Sequence, residues 1–212
     1  MNPIINRFEN IKTIINNSNV NIIAVSKTFS YDHIESLVDH GHTHFGENKV
    51  QEAQAKWVAI KKNKPSLNLH MIGKLQSNKS KEAVNLFDYI HSLDSQKLAS
   101  NLSKHEQKLN KNIKYFIQVN LAREKQKSGI VIELLDDFFY YCTKELKLNV
   151  IGLMAIPPND GQESLYFQNL MKLNQSLGLK ELSMGMSADF QTALKFQTTF
   201  VRIGSAIFGN RD

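Results

Sequence analysis

Lys27 closes the segment Ile22-Ile23-Ala24-Val25-Ser26-Lys27, an apolar run of β-strand character that turns polar at Thr28. A lysine held at the end of a buried strand loses hydration. Its pKa falls, and a neutral, nucleophilic amine becomes accessible near neutral pH. The same lysine can also snorkel its charge to water, so the reading depends on what accompanies it. Two segments near the C-terminus do so: Ser183-Met184-Gly185-Met186-Ser187-Ala188-Asp189 and Arg202-Ile203-Gly204-Ser205-Ala206-Ile207-Phe208-Gly209. Each places Gly and Ser ahead of a helix, where backbone N–H groups and a hydroxyl converge on an anion. An amine and two anion-binding turns suit a small phosphorylated ligand.

Elements that could bring these residues together follow from hydrophobic periodicity. Strands are predicted at Ile22 to Ser26, Thr43 to Phe45, Leu69 to Ile72, Tyr89 to His91, Tyr115 to Val119, Val150 to Leu153, Glu181 to Ser183 and Phe200 to Ile203. An amphipathic helix from Ile4 to Ile15 precedes them. Between them, helices are predicted at Tyr31 to Asp39, Lys49 to Lys62, Ser77 to Ala83, Ser95 to Leu109, Val131 to Leu146, Glu163 to Leu177 and Ala188 to Lys195. Alternation at this count favours an α/β fold closed as a single-domain (β/α)8 barrel over an open doubly wound sheet. Barrel chemistry lies at the carboxyl ends of the strands, and phosphate is commonly held after strands seven and eight, where the two Gly/Ser segments fall.

Composition narrows the classes. The chain has 212 residues, 42% of them apolar, and nothing resembling a linker, so residues 1–212 are read as one domain. Its apolar stretches are too short for a membrane span and its N-terminus lacks a secretory pattern, which points to the cytoplasm. Cys142 is the only cysteine and, among Phe138, Phe139, Tyr140 and Tyr141, reads as a packed thiol. The net charge of +6 favours anionic partners, with its densest lysine cluster at 56, 61, 62 and 64. That cluster reads as a solvated helix face. Trp57 stands alone beside it without the aromatic interleaving of a nucleic-acid reader, so no nucleic-acid partner is expected.

The motifs Ala24-Val25-Ser26-Lys27, Phe45-Gly46-Glu47-Asn48-Lys49-Val50-Gln51-Glu52, His70-Met71-Ile72-Gly73-Lys74-Leu75-Gln76-Ser77-Asn78-Lys79, Gln118-Val119-Asn120, Lys127-Ser128-Gly129, Gly152-Leu153-Met154 and the two anion turns occur in this order. Together the chain resembles the pyridoxal 5′-phosphate (PLP) homeostasis family, whose barrel is similar to the N-terminal domain of alanine racemase, the fold-type III group. Departures are Phe196-Gln197 in place of a Gly-Ser pair and Lys74 where a histidine is common. The resemblance implies that Lys27 forms the internal aldimine, that Ser187, Gly204 and Ser205 hold the phosphate, and that Asn48 lines the cofactor face. Met186 joins this binding set, and Arg202 faces the pyridine nitrogen. Arginine donates a hydrogen bond but does not give up its proton, so it leaves that nitrogen unprotonated and weakens the electron sink. The implied function is to hold, buffer and deliver PLP to acceptor apo-enzymes that use it, as a monomer and without catalytic turnover.

The alternative is a PLP-dependent amino-acid racemase. Racemisation needs two positioned acid/base groups, and the opposing tyrosine of alanine racemases lies in a second domain, whereas this chain ends at Asp212 just after the eighth strand. Within the barrel mouth the candidates for that role are Tyr31, His70 and Lys74. His40, His42 and His44 alternate but have no adjoining acid or cysteine, and read as a surface turn rather than a metal site. Glu47, Glu52, Asp94, Glu124 and Asp189 lie near the motifs; none is read as catalytic. Met184 and Met186 are expected to pack under the cofactor loop.

Overall fold

The computed structural model describes residues 2–124 and 128–209. Lys127 of the Lys127-Ser128-Gly129 motif therefore lies outside the described residues, as does Asp212. Eight strands pair in parallel in chain order, and the last returns to the first to close a barrel. They are β1 (Asn21–Val25), β2 (His44–Glu47), β3 (Asn68–Met71), β4 (Tyr89–Leu93), β5 (Lys114–Gln118), β6 (Asn149–Met154), β7 (Glu181–Met186) and β8 (Phe200–Ile203). The crossovers are helical: α2 (Tyr31–Asp39), α3 (Val50–Asn63), α4 (Ser80–Leu86), α5 (Gln96–Leu109), α6 (Leu135–Tyr140), α7 (Glu163–Ser176) and α8 (Phe190–Leu194). Helix α1 (Pro3–Ile15) precedes the barrel and α9 (Ser205–Phe208) follows β8.

Side chains alternate across each strand, so one set faces the helices and the other fills the barrel. Outward residues such as Ala24, Phe45, Leu69, Ile90, Ile117, Leu153 and Ile203 join the helices in one continuous core. Ile23, Tyr89, Phe116, Met154 and Phe200 form a separate interior cluster. Register fixes which residues share that interior: Ile23 lies opposite Arg202, His70 opposite Tyr89, and Ser183 opposite Phe200.

Gly152 shows how tightly the interior closes. A Cβ there would stand 2.0 Å from the Glu181 carbonyl oxygen and 2.9 Å from the Phe116 ring. Gly152→Ala must spread β6 from β7, and is expected to cost about 3 kcal/mol in urea unfolding. A loss below about 1 kcal/mol would mean that the strands part freely.

The helices begin where local chemistry satisfies their first N–H groups. The Asn2 side chain accepts from Ile4 N–H at 2.8 Å and Ser95 Oγ accepts from Leu98 N–H at 3.4 Å. Two expected helices are interrupted. Ser77 to Lys79 forms a 3₁₀ turn before α4, and the segment predicted from Val131 to Leu146 runs 3₁₀, α and then a π-helical turn at Tyr141–Glu145. Cys142 sits buried in that turn, and burial pushes its thiol up to about 12. No helix of the described residues is long and apolar enough to cross a membrane.

Candidate functional site

Lys27 follows the end of β1 directly after Ser26, and Ser26 is tied to β2 at several points. Its N–H donates to the Gly46 carbonyl at 3.0 Å and its hydroxyl donates to Glu47 Oε1 at 2.7 Å. Its carbonyl accepts from Lys56 Nζ at 2.7 Å. Glu47 is fully buried, and its Oε1 also accepts from Lys56 Nζ and from Trp57 Nε1, both at 2.8 Å. The backbone that carries Lys27 is thereby anchored, and the half-buried lysine opens onto the carboxyl ends of the strands.

A cavity of about 610 Å³ lies there. Lys27, Asn48, Met186, Ser187, Arg202, Gly204 and Ser205 all line it. The structure thus brings every residue singled out for cofactor binding to one place. A site of this volume admits a small cofactor. Val25, Phe29, Ile72 and Ile156 also line it; as apolar residues at strand ends and in the following turns, they carried no signal beyond hydrophobicity. Asn48 reaches its position because Gly73 lets the loop after β3 approach; a Cβ on Gly73 would be 2.4 Å from the Asn48 carbonyl oxygen.

The two anion turns are joined. Backbone N–H groups of Gly204 and Ala206 point at Ser187 Oγ, at 3.3 and 3.4 Å. Asp189 Oδ1 accepts from Met186 N–H at 2.5 Å and holds the first turn, whose Gly185 has φ +92°, a conformation that favours glycine. Convergent N–H groups and hydroxyls are the donor set a phosphate requires. Below them, Arg202 is buried; its Nη1 donates to Ser183 Oγ at 2.7 Å and its Nη2 to the Ala155 carbonyl at 2.9 Å. Burial draws the guanidinium down to about 10, still charged at neutral pH. With an amine, a phosphate-type donor set and a buried cationic donor in one cavity, these residues fit PLP.

Several expectations are corrected. His70 does not reach the mouth: it is fully buried inside the barrel, bonded to His44 and His91. Tyr31 packs edge-on against Trp57 and is not among the residues lining the cavity. Lys74 lines a neighbouring cavity of about 330 Å³ that shares Asn48, Ile72 and Ile156 with the first. Lys56 is not on a solvated face; the short distance from α3 to the β2 rim turns it inward onto Glu47. Lys61 and Lys64 pair with Asp88 and Asp39. Met184 is buried in the outer core, but Met186 is 36% exposed at the cavity edge because the Gly185 turn directs it outward.

The histidine triplet does not form a surface turn throughout. His40 bonds to Glu9, His42 Nε2 donates to the His44 carbonyl, and His44 points into the barrel toward His70. Among the described residues no group of three His, Cys, Asp or Glu side chains could hold a metal.

Burial pulls His42 down to about 4, lowers His44, and holds His70 and His91 well below 6.5. Unfolding returns each to its ordinary value, so the unfolded chain binds more protons as pH falls through 6.5. Stability is therefore full above that pH and is expected to drop continuously toward pH 4. The half-buried carboxyls of Asp94 and Glu106, raised by desolvation, oppose this only in the carboxylate range. Urea unfolding at a series of pH values checks it; a flat profile between 6.5 and 4 would refute the buried neutral histidines.

Residues 2–212 match the family described as alanine racemase, N-terminal domain. A pyridoxal phosphate homeostasis protein of Vibrio cholerae is 38% identical over 205 residues, spanning 92% of this chain and 87% of the relative. One from Synechocystis is 37% identical over 201 residues, spanning 91% and 92%. Among solved structures, PipY of Synechococcus elongatus with PLP bound matches with a TM-score of 0.89 and 34% identity, over 97% of this chain and 100% of PipY. Alanine racemase of Corynebacterium glutamicum shares the fold at a TM-score of 0.75 and 17% identity, over 99% of this chain and 60% of the racemase. By matched length, identity and fold, the chain belongs to the alanine racemase N-terminal domain family and, within it, to the pyridoxal phosphate homeostasis proteins.

Proposed function

We propose that this chain binds PLP covalently through Lys27 and takes part in intracellular PLP homeostasis, holding the cofactor and passing it to apo-enzymes that need it. The observation that carries the reading is the convergence of Lys27 with Ser187, Gly204, Ser205 and Arg202 in one cavity. PipY, which has PLP bound, and the homeostasis proteins named above support it. When bound, PLP supplies an aldehyde that condenses with amines and a ring that stores charge. Lys27 is the amine in reach. Ser187, Ser205 and the Gly204 backbone would hold the phosphate, with Asn48 and Met186 against the ring.

Arg202 argues for holding rather than turnover. A guanidinium donates to the ring nitrogen without protonating it, so charge storage in the ring stays weak. His70, named as an acid/base candidate, is sealed in the barrel and does not line the cavity that Lys27 lines. The barrel would act as a single PLP-binding unit across residues 1–212, as a cytoplasmic monomer that neither binds nucleic acid nor enters a membrane.

The test is the visible absorption spectrum of purified protein with added PLP, followed by borohydride reduction and peptide mapping. A new band and a reduced adduct on Lys27 are expected. Absence of both would overturn the PLP assignment, and rapid turnover of an amino acid would overturn the holding role.

A further inference from the structure

Inside the barrel a continuous hydrogen-bonded column connects Arg202 to the opposite end. Arg202 Nη1 meets Ser183 Oγ at 2.7 Å, Ser183 Oγ meets His91 Nδ1 at 2.9 Å, His91 Nε2 meets His70 Nδ1 at 2.9 Å, and His70 Nε2 meets His44 Nδ1 at 2.9 Å. His70 and His91 are fully buried and lie flat against aromatic rings, His70 on Tyr89 at 4.2 Å and His91 on Phe116 at 4.3 Å. Nothing in PLP binding itself calls for buried imidazoles at this depth.

The donors in the column can be ordered. Arg202 can only donate, so it occupies a lone pair of Ser183 Oγ. The Ser183 proton then turns to the acceptor in reach, His91 Nδ1. If His91 Nδ1 carried the proton instead, Ser183 would receive two donors and its own hydroxyl hydrogen would be stranded in a buried site. A neutral His91 accepting at Nδ1 carries its hydrogen on Nε2 and donates to His70. The same logic sends the His70 proton to His44. Every link thus runs away from Arg202, and each imidazole turns its electron-rich nitrogen toward the guanidinium.

The geometry points to His91 and His70, acting through Ser183, as positioning residues that hold the Arg202 guanidinium toward the cofactor cavity with aligned neutral dipoles in place of a carboxylate. A carboxylate at Ser183 would cancel the charge that Arg202 presents to the cavity. The oriented column steadies the cation and leaves its charge directed at the ligand. This inference rests on the PLP reading for its consequence at the ring nitrogen, but the column and the held guanidinium exist without the cofactor.

The experiment therefore has a cofactor-free arm and a loaded arm. In the first, ¹⁵N NMR of the free protein reads imidazole tautomers and Arg202 side-chain rotation. Neutral His70 and His91 protonated at Nε2, with separate Arg202 Nη signals, are expected. In His91→Phe, which deletes the acceptor, the Nη signals should merge. His91→Asn, whose side-chain oxygen can accept from Ser183, should restore their separation and also serves if the Phe variant folds poorly. Protonation at Nδ1, or Arg202 signals identical in wild type and His91→Phe, would overturn the proposal. In the second arm, the pH midpoint of the visible PLP band should shift by about half a unit or more in His91→Phe, with His91→Asn closer to wild type. An unmoved midpoint would overturn the link to the cofactor. A wild type that gains no band at all would instead fault the PLP reading, while the NMR arm still decides whether the column positions Arg202.

Discussion

Lys27→Ala is expected to abolish the visible band formed with PLP and the borohydride-trapped adduct, while PLP still binds weakly through its phosphate. The substitution removes the amine but leaves Ser187, Gly204, Ser205 and Arg202, which line the same cavity from β7, β8 and their turns. Apparent affinity should fall by about two orders of magnitude, or ~2.7 kcal/mol. Lys27→Arg separates covalency from charge: it keeps a cation at the cavity but offers no condensing amine, and should resemble Lys27→Ala in spectrum while binding the phosphate somewhat better. Equilibrium titration by protein fluorescence, alongside the visible spectrum, measures both quantities. An unchanged band in Lys27→Ala would refute the assignment. Loss of all PLP affinity would mean that the two anion turns contribute little.

The barrel was legible because β and α patterns alternate along the chain, and the strand-end residues Lys27 and Arg202 fall on the rim that alternation defines. Gly204 and Ser205 were legible for the same reason, standing immediately after β8. Buried polar residues were harder. In a strand such as Leu69-His70-Met71 both faces are buried, one against helices and one inside the barrel, so alternation does not tell a mouth residue from an interior one. Strand register settles that, and register places His70 beside Tyr89. Lys56 shows a related failure. A lysine among Lys61, Lys62 and Lys64 on one helix reads as solvated, yet only Lys56 lies over the β2 rim where Glu47 waits. The π-helical turn after α6 had no sequence signal, since its residues Tyr141-Cys142-Thr143-Lys144-Glu145 are compatible with an ordinary helix.

Glu47→Ala is expected to be among the most destabilising single changes in the chain, costing about 3–5 kcal/mol. Glu47 is fully buried and its Oε1 gathers the Ser26 hydroxyl, the Trp57 indole N–H and the Lys56 ammonium. Lys56 keeps only 9% of its side chain exposed, so removing the carboxylate strands a charge that water barely reaches. The cost comes from that stranded charge, which makes the effect separable. Glu47→Gln retains an acceptor for Ser26 and Trp57 but not the countercharge, and should fall between wild type and Glu47→Ala. Pairing Glu47→Leu with Lys56→Met removes both charges and should recover most of the loss. Urea unfolding of wild type and the three variants measures the series; a Glu47→Ala cost below about 1 kcal/mol would show that the pair is not desolvated. The same network fixes the residue before Lys27, so a folded Glu47→Ala protein should also trap less PLP on Lys27 than wild type. If trapping is unchanged, the Ser26 anchor does not aim the lysine, and the β1 backbone alone is sufficient to place it.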